Sequence, residues 1–227
     1  MKNSELTYKE IYGQPVSFQA VNDTLDTIFK TLDEVFAEKY DEVIFTGCGT
    51  SLYLAQASAH AFSTCTGISA KGMCCSELYY FPETYVGNGK KVLVVPMTRK
   101  SYTTEVRMAI DKVRSYPGVK SLAITCDPDS SKYNDYMLLS PETPEDSVIM
   151  TRSFTSMIYL AVVMSYYVGG KKEKIEQLKD YAANAESFLK ATDEMAKKIV
   201  AEHPECNLFI TLGQGINYGI ANECMNK

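Results

Sequence analysis

The sequence has 227 residues, 45% hydrophobic and 22% charged, with a formal net charge of -5. That length and balance fit one large or two small globular domains with a core of ordinary size. The negative charge excludes a global electrostatic footprint for nucleic acid or an anionic membrane surface, so an anionic ligand must be held by local amides and chosen side chains. Residues 1–40 read as an N-terminal helical segment. Glu42 to Thr46 is a short apolar run ending at Gly47-Cys48-Gly49, the pattern of a buried strand. Ser51 to Phe62 follows as a helix, with Leu52, Ala55, Ala59 and Phe62 on one face. Ile68 to Cys74 is a weaker strand. Lys91 to Pro96 is the clearest strand, apolar on both faces as in a parallel sheet covered by helices. Tyr102 to Ser115 carries Val106, Ile110 and Val113 at helical spacing, and Pro117-Gly118 stops it. Ser121 to Thr125 is the next strand, followed by turn chemistry at 127–131 and a short edge strand at Tyr136 to Leu139. Ser153 to Val168 is a buried helix, closed by Gly169-Gly170; its apolar run of about 12 residues is short of the roughly 20 needed to span a bilayer.

Strand–helix alternation at this pace predicts an α/β fold, a three-layer α/β/α parallel sheet of the flavodoxin-like kind over residues 41–170. Residues 171–204 are charge-rich connecting helices, with Ile175, Leu178, Ala182, Ala185, Phe188 and Leu189 on one face. Asn207 to Thr211 is then a new buried strand, Leu212 to Gly215 a turn, and Ile216 to Lys227 a helix. This repeats the plan of Val43 to His60, so residues 205–227 read as the opening of a second, similar domain, and the chain as one that stops within it. The seven cysteines form no C-x-x-C pair and have no matching His spacing. They read as reduced thiols of a cytoplasmic protein. The N-terminus is not a signal peptide.

Two segments can carry chemistry. Thr46-Gly47-Cys48-Gly49-Thr50-Ser51 joins a strand to a helix N-terminus, where free amides, the helix dipole and hydroxyls favour an anion. Tight packing explains such a turn equally well, and it is neither a Walker A sequence nor the dinucleotide fingerprint. Thr98-Arg99-Lys100-Ser101-Tyr102-Thr103-Thr104-Glu105 leaves the clearest strand for the next helix, bringing hydroxyls and two cations to a second helix start. An N-cap in a solvated basic turn is the plainer alternative. Two such turns at the carboxyl ends of one sheet's strands point to a ligand site.

Five segments, in order, resemble the SIS (sugar isomerase) family. Lys9 to Pro15 resembles the K-E-I-x-E-Q-P that opens the isomerase half of glutamine–fructose-6-phosphate aminotransferases. Gly47 to Ser51 is similar to the family's first ligand loop, and Thr98 to Glu105 to its S-[RQ]-S-G-E-T-x-[ED] phosphate loop. Glu145 to Thr155 is similar to E-x-x-V-A-x-T-K-x-F-T, and Leu212 to Glu223 to L-G-R-G-x-x-Y-x-x-A-x-E. The resemblance implies a sugar phosphate as the small-molecule partner. Cys48, Gly49, Thr50, Ser51, Thr98, Arg99, Lys100, Ser101 and Thr103 would surround it, and Val148 would contribute a backbone contact. Glu223 would be the base that moves a proton between C1 and C2 through an enediol, or an enediolamine with an amine-linked sugar. No metal or other cofactor is implied.

Lys100-Ser101 stands where the family has Ser-Gly, so Lys100 either supplies a direct charge to the phosphate or obstructs the pocket. Tyr102 replaces a common acidic residue. There is no counterpart of the family's downstream His and Lys, which His60 and His203 do not replace. The implied activity is isomerisation, deamination or deglycation of an amino- or amine-linked ketose 6-phosphate, in a homodimer. The alternatives are a non-catalytic sugar-phosphate-binding module and a subunit that only completes a partner's site.

Overall fold

The computed structural model describes residues 3–87 and 89–227. Helices α1 (Asn3–Tyr12), α2 (Gln14–Asn22) and α3 (Leu25–Val35) precede strand β1 (Glu42–Gly47). There follow α4 (Thr50–Thr66), β2 (Ala70–Cys74), the short helices α5 (Cys75–Tyr80) and α6 (Pro82–Val86), β3 (Val92–Thr98) and α7 (Thr104–Val113). Then come β4 (Val119–Thr125), a 3-10 turn, β5 (Tyr136–Leu139), α8 (Arg152–Val168), α9 (Lys172–Glu202) and α10 (Ile216–Asn226). The five strands form one parallel sheet in the order β2-β1-β3-β4-β5. This is the flavodoxin-like order expected from the strand–helix alternation.

The period of two along each strand builds two cores. Val43 and Phe45 of β1 and Leu93, Val95 and Met97 of β3 face α3, α4 and α8. Ile44, Val92 and Val94 face the other way, onto Cys75, Leu78, Val86, Val106 and Ile110. Both faces of the central strands are therefore covered, which is why they are apolar without alternation. Pro96 sits inside β3 although it cannot donate to a ladder. The β3–β4 pairing breaks there, running from Val94↔Ser121 to Met97↔Ile124. The N-terminal segment is part of the larger core, since α2 and α3 supply Phe18, Val21, Leu25, Ile28, Leu32 and Val35.

Residues 172–202 are one helix, of 31 residues. Its apolar stripe is buried only at Ile175, Ala182 and Ala185; Phe188 is exposed and Leu189 half-buried. Beyond Ala185 the helix is tied at its side by α1, where Tyr8 and Tyr12 donate to Asp193 at 2.7 and 3.0 Å.

The expected strand at Asn207 to Thr211 is corrected. These residues take no strand conformation, and Leu208 and Ile210 are 75% and 77% exposed. The run has strand composition but no neighbouring strand to pair with among the described residues, and a strand without a ladder is not stable in water. Leu52, expected on the buried face of α4, is half-buried; Leu54 and Ser58 take that face with Ala55, Ala59 and Phe62. Among the described residues no helix is long and apolar enough to cross a membrane.

Candidate functional site

In the order 2-1-3-4-5 the chain leaves β1 toward one side and returns to the other, so a crevice opens between the carboxyl ends of β1 and β3. The loops after these two strands are the two segments singled out in the sequence. Cys48, Ser51, Thr98, Arg99, Lys100 and Thr103 line one pocket of about 180 Å³ there, with Tyr102, Val106 and Met150. A wider cleft of about 650 Å³ shares Arg99, Lys100 and Tyr102 and continues over Asp127, Thr143 and Glu145.

The first loop is shaped by its glycines. Gly49 precedes α4 with φ 55° and ψ -127°, a conformation that strains any L side chain. Ser51 and Leu52 turn their amides back onto the carbonyls of Cys48 and Gly49, at 3.1 and 2.9 Å. A Cβ on Gly47 would lie 2.4 Å from the Ser51 carbonyl oxygen, so no side chain fits without moving backbone. Gly49→Ala is expected to cost about 1–3 kcal/mol, read as a lower denaturant midpoint with unchanged slope; an unchanged midpoint would show that the loop relaxes freely.

The same geometry recurs before α10. Gly215 has φ 59° and ψ -129°, and a Cβ on Gly213 would meet the Asn217 carbonyl oxygen at 2.0 Å. Helix α10 then runs antiparallel along α4. Gly215 touches His60, Gly219 lies against the Tyr53 carbonyl and Ala57, and Asn222 reaches Gln56. His60, which the sequence suggested as packed or capping, is exposed, with its ring beside that turn. Only glycine at 219 allows so close an approach, because an added Cβ would stand 2.3 Å from the Tyr53 oxygen.

This packing carries Glu223 to the N-terminus of α4. Thr50 Oγ1 donates to Glu223 Oε1 at 3.1 Å, and the Lys227 ammonium lies 2.6 Å from the same oxygen. Glu223 is 5% exposed, and its Oε2 is buried without a hydrogen-bond partner. A buried carboxylate oxygen left unpaired is a costly group, and Glu10 and Glu42 each leave one in the same state.

The second loop is held from below. Thr98 Oγ1 and Thr103 Oγ1 donate to the Lys100 carbonyl, at 2.7 and 3.4 Å. Arg99 Nη1 pairs with Glu145 Oε2 at 3.2 Å. Glu145 has a fully buried side chain and also accepts from the Thr151 amide and hydroxyl and from the Ser153 amide and hydroxyl. It thus caps α8 and fixes Arg99 together. Among the described residues Lys100 has no carboxylate partner; its ammonium lies 5.7 Å over the Tyr102 ring. Lys100 thus lines the pocket as a cation with no carboxylate partner among the described residues.

Ser101 is turned to other work. Its amide and hydroxyl both donate to Asp127 Oδ2, at 2.9 and 2.7 Å. Burial alone would raise the Asp127 carboxyl, but these donors and the Asp129 amide hold it below its ordinary value. Ser101 needs no left-handed backbone, since among the described non-glycine residues only Glu142 has positive φ. The family's glycine is thus replaced by a serine clamped to the β4 loop.

Cys48 stands at the pocket wall with Cys75 behind it. The Cys75 thiol donates to the Cys48 sulfur, which lowers the Cys48 thiol to about 7 against the opposing effect of burial. Cys75 itself is pushed upward, by that same bond and by burial.

The structure therefore brings six of the ten binding candidates into one pocket. Gly49 shapes its rim, and Thr50 points to Glu223 rather than inward. Ser101 faces Asp127. Val148 is 93% exposed and outside the pocket lining, on the 146–150 segment whose first amides are taken by Glu10 Oε1. Met150 and Val106 were not singled out as lining residues, and neither Glu145 nor Asp127 as an anchor. Glu145 is the first acidic residue of a Thr-Pro-Glu-Asp run; the motif quoted from the sequence opens on it, but nothing in its local pattern marks it as an anchor.

Residues 37–168 match the family model described as the SIS domain. The chain is 25% identical over 228 residues to glutamine–fructose-6-phosphate aminotransferase [isomerizing] of Helicobacter pylori, covering 95% of this chain and 38% of that protein. Among solved structures it is similar to the C-terminal domain of the glucosamine-fructose-6-phosphate aminotransferase from Francisella tularensis. There the TM-score is 0.80 and the identity 23%, over 96% of this chain and 64% of that one. It is also similar to tagatose-6-phosphate ketose/aldose isomerase from Escherichia coli, with TM-score 0.78 and 21% identity, over 96% and 61%. The chain thus spans well under half the length of the curated relative and under two thirds of the structural ones. The match to the family model covers more than half of the chain, and the chain belongs to the SIS domain family.

Proposed function

We propose that this protein binds an amino- or amine-linked ketose 6-phosphate between the β1 and β3 loops and moves a proton between C1 and C2 through an enediol or enediolamine. The observation that carries the reading is the convergence of Ser51, Thr98, Thr103 and the unpaired Lys100 on one pocket. That pocket lies beside two helix N-termini at the sheet's switch point, an arrangement suited to a phosphoryl group. The names of the relatives, which act on hexose 6-phosphates, support the substrate class. Arg99 is neutralised by Glu145, so Lys100 supplies the phosphate's counter-charge.

Glu223 is the base in this reading. Its Oε1 is fixed by Thr50 and Lys227; its Oε2 has no hydrogen-bond partner but is buried, and Glu223 stands behind Thr50 rather than among the residues that line the pocket. The repeated glycine turn at 213–215 supports reading residues 205–227 as the opening of a second unit built like the first. Self-association as a homodimer in the cytoplasm belongs to the same reading, and a monomer in sedimentation would count against it.

The test is Thr98→Ala combined with Lys100→Ala. The expected result is more than tenfold weaker binding of glucosamine 6-phosphate by calorimetry, with little change in folded stability; unchanged affinity would remove the phosphate from this loop.

A further inference from the structure

Cys48 is half-buried in the pocket wall, at the end of β1. Strand β2 runs parallel beside it, and Gly47 pairs with Cys74 in the register. Cys48 and Cys75 are therefore the next residues along two neighbouring strands as these leave the sheet. Adjacent parallel strands lie roughly 5 Å apart, which falls within the Cα separation that a disulfide spans. Cys48 packs against the buried cluster that contains Cys75. Thr46 Oγ1 donates to Cys75 Sγ at 3.4 Å and fixes it from the other side. Cys74 accepts from the Ser76 hydroxyl at 3.2 Å and is a lesser influence on Cys48 than Cys75 is. The proposed proton transfer uses none of these sulfurs.

We propose that Cys48 and Cys75 are a peroxide-reactive dithiol whose oxidation to a disulfide closes the pocket to its ligand. The oxidant is a hydroperoxide that enters through the pocket. The Cys48 thiolate attacks a peroxide oxygen, an S–O bond forms as the O–O bond breaks, and the released hydroxide leaves as water. The Cys75 sulfur then attacks the Cys48 sulfur. The S–S bond forms, the S–O bond breaks, and the Cys75 proton leaves with the hydroxyl as a second water. Two thiols lose two electrons and the peroxide gains them. A thiolate-rich, accessible sulfur beside a resolving thiol is the arrangement such chemistry requires. Cys75 is fully buried, so it acts only as the resolving partner. Forming the bond draws the Cys48 sulfur from the pocket wall toward β2 and carries the turn bearing Ser51 with it. This consequence rests on the sugar-phosphate reading of the pocket; the bond itself does not.

The test is to treat the reduced full chain with hydrogen peroxide, alkylate the remaining thiols and map the peptides by mass spectrometry. The expected result is a peptide pair joining Cys48 to Cys75, with two of the seven thiols lost together. In Cys75→Ser the pair is absent and Cys48 is trapped as a sulfenic acid by dimedone; in Cys74→Ser the pair persists. Oxidation of the exposed Cys206 and Cys224 with Cys48 untouched would overturn the proposal, as would linkage of Cys48 to Cys74. The second readout is glucosamine 6-phosphate binding, expected to weaken at least tenfold on oxidation and to return with dithiothreitol. Retained affinity in the linked protein would overturn the closing step. A reduced protein that never binds the sugar phosphate would refute the pocket's ligand, and the peptide map would still decide the dithiol.

Discussion

Glu223→Gln is expected to abolish solvent-proton exchange at C2 of a bound ketose 6-phosphate while leaving its affinity within about threefold. General-base contributions are worth roughly 10²–10⁴ in rate, so the loss lies in that range. Gln keeps the shape and the hydrogen bond from Thr50 but has no oxygen that can take a proton at neutral pH. The variant also leaves the Lys227 ammonium without its partner, at the positive end of α4. A modest fall in stability is therefore expected alongside the chemical loss, and binding separates the two. Deuterium exchange followed by NMR, with calorimetry on the same samples, is the measurement. Exchange that survives in the variant would move the base elsewhere. Binding without exchange in the parent chain would assign it to the non-catalytic binding alternative.

The largest expected effect on stability is at Glu145. Glu145→Ala removes one carboxylate that serves five donors, four of them at the start of α8. It also leaves Arg99, only partly exposed, without a counter-charge. Breaking one side of a buried ion pair costs about 3–5 kcal/mol, because the partner's desolvation is no longer compensated. Urea unfolding should show a midpoint shift of that order. The freed Arg99 guanidinium changes the charge of the pocket wall, so sugar-phosphate affinity should change as well. A shift below about 1 kcal/mol would place Glu145 among ordinary surface pairs.

The fold was legible because both faces of its central strands are apolar. Lys91 to Pro96 and Ser121 to Thr125 could only be strands of a covered parallel sheet, and the glycine turns marked their carboxyl ends. The pocket was legible at Cys48, Ser51, Thr98, Arg99, Lys100 and Thr103 because each lies in a loop that must sit at those ends. What holds the loops was not legible. Glu145 and Asp127 are ordinary acidic residues of turn segments, and only the tertiary fold brings them under Arg99 and Ser101. Met150 and Tyr102 reach the pocket in the same way, from positions whose local sequence suits a solvated turn. The misread segment, Asn207 to Thr211, failed for the complementary reason. Strand composition expresses a capacity to pair, and Leu208 to Leu212 has no partner strand among the described residues, with Leu212 90% exposed.

The most direct test of a sugar-phosphate pocket between the β1 and β3 loops is thermal unfolding of the reduced chain with fructose 6-phosphate or glucosamine 6-phosphate, each beside its unphosphorylated sugar. A ligand that binds only the folded state raises the melting temperature by mass action, by about 2.7 kcal/mol of stability at a hundredfold excess over its dissociation constant. The predicted result is a clear rise with at least one phosphorylated sugar, none with the free sugars, and none in Thr98→Ala combined with Lys100→Ala. Equal melting temperatures in all of these conditions, from a cooperatively folding sample, would contradict it.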